Sequence, residues 1–314
     1  MPQSEDCLYL NVLSPAKKAS DKLPVMVWMH GGAFTMGSGN DTTLCNGLIL
    51  PSHGVVLVTV NMRLGPIGCL AHPLLSRESP KGTSGNYLFM DLVAALQWVQ
   101  KNISAFGGDP KNVTIFGQSG GSRKVVNLMA SPLAKGLFHR AIGESGGGAG
   151  ITLKEMESRG EKLFAKLGVD NIEDPIAAAR ALPWEKIIEA GQIILTESKM
   201  SPPAFWDSVV DGWFLQDTPA NIFKAGKQNA VPFIMGANLG ELTGPGVILM
   251  THVIPAYVNL FAGANKVGGK AYGYIFDHVP AGWKKDGAVS SHGMDLPYVF
   301  GDLDSKSAIW AVLF

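Results

Sequence analysis

Three short segments, PVMVWM (24–29), VVLVTV (55–60) and VTIF (113–116), are apolar almost without interruption. Runs of that length and continuity are expected of parallel strands buried on both faces. A fourth segment, LYLNVL (8–13), alternates and reads as a strand with one wet face. Between VVLVTV and VTIF lies MDLVAALQWVQKNI, whose Leu92, Ala95, Leu96, Val99 and Ile103 recur at helical spacing. Further on, KEMESRGEKLFAKLG reads as a helix, and PFIMGAN and YGYIFDH as strands. Strands alternating with helices predict an α/β fold: a mostly parallel central sheet flanked by helices. Residues 152–230 are more helical and polar than their flanks and read as a helical insertion on the same sheet. No linker divides the chain, so residues 1–314 are expected to form a single catalytic-size domain.

Composition narrows the partners. The formal net charge is zero, which gives no electrostatic footprint for nucleic acid or an anionic membrane surface. The opening MPQSEDCLYL lacks a basic start followed by an apolar run, so no secretory signal is read and a cytoplasmic setting is expected. The most apolar long stretch, 246–264, is interrupted by Thr251, His252, Pro255 and Asn259; it reads as a buried or lid-like helix, with no membrane span. Cys7, Cys45 and Cys69 are too few and too widely spaced for a disulfide framework or a zinc site, and no metal or cofactor is called for.

The segment IFGQSGGSRKVVNLMASPLAKGLFHRAIGESGGG holds two copies of Gly-x-Ser-x-Gly, centred on Ser119 and Ser145. With 38 glycines in the chain, chance supplies roughly 0.3 such matches, so context has to choose between them. A nucleophile elbow needs a strand, a tight turn that presents the serine, and a helix starting at once. Ser119 follows VTIF and precedes SRKVVNLMA, where Val125, Val126 and Met129 can form an inward face. Ser145 follows a plausible strand, HRAIGE, but the next five residues include four glycines, which oppose an immediate helix. Ser119 is therefore the expected nucleophile.

A serine nucleophile also needs oxyanion donors, a base and an acid. HGGAF, His30–Phe34, ends the strand PVMVWM, and its small residues let backbone N–H groups point inward. The expected donors are Gly32 and Ala33, with Gly31 shaping the turn, plus the N–H of Gly120. Of seven histidines, the chain order serine, acid, histidine leaves His278 and His292. His278 closes the strand YGYIFDH, where a structural role fits, whereas His292 lies on the loop VSSHGMDLPY. Glu241, directly after PFIMGANLG, is the natural acid; Asp211 in VVDG is the alternative, with turn formation as its ordinary role.

Taken together, SEDCLYLNV, HGGAF, GNYLFMDLVAALQWVQKNISAFGGDPKNVTIFGQSGG, LFHRAIGESG, SVVDGWFL, VPFIMGANLGE and HGMDLPYVFG resemble the type-B carboxylesterase family, which includes bacterial para-nitrobenzyl esterases and the cholinesterases. The resemblance implies an α/β-hydrolase fold and hydrolysis of small carboxylic esters through an acyl-enzyme. It implies Glu241 as acid, His292 as base, and for Ser145 an accessory role as a hydroxyl that hydrogen-bonds the acid. Relatives carry more chain ahead of SEDCLYL, between acid and base and after the last motif; this chain therefore reads as a trimmed catalytic core with a reduced helical lid. Phe34, Phe205 and Met294 are the expected lining of an open, short acyl pocket. The rival expectation is a non-catalytic, cholinesterase-like adhesion module, which typically lacks a triad member.

Overall fold

The computed structural model describes residues 3–41, 49–241, 253–284 and 287–301. Cys45, Thr251 and His252 lie outside them. The strands are β1 (Leu10–Leu13), β2 (Leu23–Met29), β3 (Val56–Val60), β4 (Gly108–Gln118), β5 (Arg140–Glu144), the two-residue β6 (Ile151–Thr152) and β7 (Val209–Val210), then β8 (Phe233–Asn238) and β9 (Ala271–Phe276). Among the described residues, seven of them form one sheet in the order β1-β3-β2-β4-β5-β8-β9. Only β1 is antiparallel, with Leu10 opposite Val60 and Leu13 opposite Leu57. β6 and β7 pair separately.

The apolar runs sit where their composition demands. All five residues of β3 are buried; Val56, Val58 and Val60 share one core with Val25, Val27 and Met29 of β2 and Val113 and Ile115 of β4, while Leu57 packs on the other face with Trp28 and Phe116. Each such side chain contributes roughly 1.5–3 kcal/mol by leaving water. The helix Tyr87–Asn102 buries Leu88, Phe89, Leu92, Val93, Leu96 and Val99, one face at helical period, and starts three residues before the apolar pattern suggests. β1 begins later than LYLNVL implies. Leu8 and Tyr9 are more than half exposed, because an edge strand with a single neighbour has less to pair against. Between β5 and β8 the chain is mostly helical, including Leu153–Leu167 and Trp184–Ser198. Of the apolar stretch 246–264, the described part is helical, within Val253–Lys266.

The connectivity creates a crevice. From β2 the chain moves outward to β3, then crosses back so that β4 lies on the other side of β2. Such a reversal parts the loops at the carboxyl ends of the two central strands, the usual place for a ligand in an open parallel sheet.

Candidate active site

β4 ends at Gln118, and the helix Gly120–Ala130 begins two residues later. Ser119 makes the turn between them with φ 59° and ψ −121°, a region that L-residues occupy only when their surroundings over-determine it. Its N–H donates to Glu144 O at 2.7 Å. The flanking glycines are steric requirements: a Cβ on Gly117 would lie 2.6 Å from Met29 O, and one on Gly121 only 1.9 Å from the same atom. The helix can thus start directly over the end of β2, with its N-terminal N–H groups facing the crevice.

The loop after β2 closes onto this turn. A Cβ on Gly31 would meet Gln118 O at 3.1 Å and Ser119 Cβ at 3.4 Å, and one on Gly120 would meet Ala33 N at 2.9 Å. Gly31 therefore allows close approach, while the turn itself is made by positive φ at Gly32 (89°), Ala33 (51°) and Phe34 (65°). Among the described residues the backbone N–H groups of Gly32, Ala33 and Gly120 donate to no other backbone group. Three open donors beside a strained serine are what an oxyanion requires.

The expected acid and base come from the far side of the sheet. Glu241 stands just past β8, and His292 follows β9 on a loop. That loop is tied to the end of β8 by Gly240 N–H to Ser290 O (2.8 Å) and Asn238 Nδ2 to Ser291 O (2.7 Å). His292 Nδ1 donates to Glu241 Oε2, and Asn238 N–H donates to Glu241 Oε1 at 2.8 Å. Burial pushes the Glu241 carboxyl upward, but the bond and charge of His292, the Ser145 hydroxyl and the Asn238 N–H outweigh it and leave the group below its ordinary range. Ser145 has φ 57°, and its N–H donates to Gly236 O at 2.8 Å. Its buried hydroxyl acts on the Glu241 carboxylate electrostatically without a hydrogen bond of ordinary geometry. No helix follows it; the chain runs on to β6.

His292 Nε2 faces the elbow, where it meets Gln118 Nε2 at 3.2 Å; no hydrogen bond joins it to Ser119. With Nδ1–H directed at Glu241, Nε2 is an acceptor, so the Gln118 amide donates to it. Gln118 is invisible as a site residue in sequence, since the variable position of a motif carries no signal. Asn238 and Asp295 are equally silent there: Asn238 Nδ2 reaches Asp295 Oδ1 at 3.2 Å across 57 residues of chain. Asp211 is consumed in turn formation, its Oδ1 accepting from the N–H groups of Trp213, Phe214 and Leu215. His278 is exposed and packs edge-on against Tyr298.

The expected pocket lining is not where a ligand could touch it. Phe34 and Met294 have no accessible surface and Phe205 has 4%. Phe34 packs edge-on against Phe89 in the core, and Phe205 lies against Trp206 and the Arg159 guanidinium. Inward-facing apolar side chains near a motif have the same sequence signature whether they wall a cavity or fill one. Among the described residues no helix is long and apolar enough to cross a membrane.

The sequence matches the profile of the Carboxylesterase family over residues 1–253. It is 41% identical over 240 residues to a fumonisin B1 esterase of Sphingopyxis macrogoltabida, covering 76% of this chain and 43% of that protein. It is 39% identical over 241 residues to the para-nitrobenzyl esterase of Bacillus subtilis (strain 168), covering 76% and 48% respectively. The fold superposes on a solved PNB esterase with a TM-score of 0.82 at 30% identity, over 97% of this chain and 72% of that one. The chain thus spans less than half the length of these curated relatives.

Proposed function

The chain belongs to the carboxylesterase family and has an α/β-hydrolase fold, and from that premise we propose that it hydrolyses short-chain carboxylic esters through an acyl-enzyme on Ser119. The observation that carries this reading is the order of groups along the carboxyl edge of the sheet. Gly32 and Ala33 follow β2, Ser119 follows β4, Ser145 follows β5, Glu241 follows β8, and His292 lies beyond β9. Each of these groups lies on a loop after its own strand along that edge, which supports the reading.

In the proposed reaction His292 Nε2 takes the Ser119 proton as Oγ attacks the ester carbonyl carbon. The carbonyl π electrons move to oxygen, where the N–H groups of Gly32, Ala33 and Gly120 receive the oxyanion. Collapse expels the alcohol, to which the imidazolium returns its proton; water then repeats the sequence on the acyl-enzyme and releases the acid. Glu241 holds the imidazolium and Ser145 steadies Glu241. Gln118 must yield Nε2 to Ser119 during attack. The 51-residue interval between Glu241 and His292 supports a reduced lid and hence short acyl groups.

The Gln118–His292 contact is also the observation that favours the rival, a non-catalytic binding module. Turnover of para-nitrophenyl esters from acetate to palmitate, in the native protein and in Ser119→Ala, separates the two. Native turnover falling from butyrate to palmitate, abolished in the variant, is expected. Equal activity in Ser119→Ala sinks the mechanism, palmitate ahead of butyrate sinks the chain-length part, and an inert native protein leaves the binding module.

A further inference from the structure

Lys124 has no accessible surface, and burial lowers its amine pKa to about 7. It sits in the elbow helix, five residues beyond Ser119, and its Nζ donates to His30 O at 2.8 Å, its one hydrogen bond among the described residues. His30 is the residue immediately before Gly31. The same amine faces the ring of Phe34, 5.7 Å from the centroid, and Phe34 is the residue immediately after Ala33. The Arg123 guanidinium lies 5.5 Å from that ring centroid and is paired to Asp207. Lys124 therefore touches both ends of the loop whose middle, Gly31–Ala33, supplies the oxyanion donors.

A buried amine with a single carbonyl partner is an expensive core residue whether charged or neutral, and a well-packed apolar side chain of similar size would ordinarily stabilise the site more. The imidazole of His30 does not help to anchor the loop to the helix. Its Nδ1–H donates to Gly31 O at 2.9 Å, and its Nε2 is buried without a partner. The loop, meanwhile, carries three consecutive positive φ angles, two on residues with a Cβ, and such a backbone persists only where its surroundings hold it. From the helix side, Lys124 Nζ holds the start of this loop through His30 O.

We propose that Lys124 is a positioning residue for the transition state: by fixing His30 O and the Phe34 ring it keeps the Gly32 and Ala33 N–H groups convergent with that of Gly120. This rests on the esterase reading above. Lys124→Met keeps an unbranched chain of similar length and removes the donor and the charge. The test compares kcat and KM on para-nitrophenyl butyrate, affinity for a trifluoromethyl ketone that adds to the serine as a tetrahedral adduct, and Tm. Expected are a kcat lower by roughly 10–100-fold, a KM within about twofold, ketone affinity reduced in step with kcat, and a Tm no lower than the native protein's. Lys124→Gln, which keeps a shorter donor, should recover part of the loss, and it decides the matter if the Met variant does not fold. Unchanged kcat and ketone affinity in a folded variant overturns the inference, as does a kcat loss that follows a fall in Tm while ketone affinity holds. A native protein without ester turnover would instead sink the esterase reading itself.

Discussion

Three carboxyl groups, Glu241, Asp295 and Glu144, lie near one another beyond the elbow, and the surroundings of each shift it differently. Glu241 is held below its ordinary range by His292, Ser145 and Asn238 despite its burial. Burial raises Asp295, which the Asn238 amide only partly offsets, and burial together with Asp295 raises Glu144 well above its usual range. The surroundings thus favour the charged form of Glu241, beside His292, and disfavour that of Glu144. Glu144 has a consequence for stability. Its folded value is raised, so its contribution is fully present below the unfolded value of about 4.3 and is lost as pH rises toward the folded value. Glu144→Gln removes that loss while leaving the backbone bond from Ser119 intact. The Tm of the variant relative to the native protein should rise between pH 5 and pH 8; a constant difference would refute the assignment. Ser119 and His292 are expected from sequence because each sits at a loop with a strand before it and in the required chain order, whereas Glu241 is preferred to Asp211 through the family resemblance. Gln118, Asn238 and Asp295 are not legible there, because their partners lie 50 residues or more away and only the folded sheet brings them together.

Among the elements, the elbow is tightly constrained. Gly121 packs the first turn of the helix Gly120–Ala130 against the last carbonyl of β2, and a methyl there would sit 1.9 Å from Met29 O with no flexible side chain to move aside. Gly121→Ala should cost at least about 3 kcal/mol, read as a lower urea midpoint, with the donor loop displaced as well. Gly136→Ala is the contrast: unlike Gly121 it has positive φ (77°), and a Cβ there meets nothing within 4 Å, so backbone strain acts alone. Equal losses at the two positions would show that close packing at the elbow is not what Gly121 supplies. The strand and helix pattern is readable for the same reason that the elbow is rigid: strands buried on both faces have no freedom to be polar. The acyl pocket is unreadable because Phe34 and Met294 sit at the site and still point into packed core.

Across the whole molecule, the groups of the site are strung over strands that are neighbours in the sheet but far apart in the chain. The proposed donor loop begins at residue 31 and the proposed base is residue 292, so no local segment contains even the proposed nucleophile with its base. That spacing gives the site a temporal signature. On dilution from urea, helices and near-sequence strand pairs form early, while a chain of this size gathers distant contacts through intermediates. Ester turnover should therefore recover later than the far-ultraviolet circular dichroism signal, whereas recovery in step with the earliest signal would contradict this order. Every partly folded species would then be silent toward substrate, and enzymatic activity would count only molecules whose sheet had closed from β2 to β9.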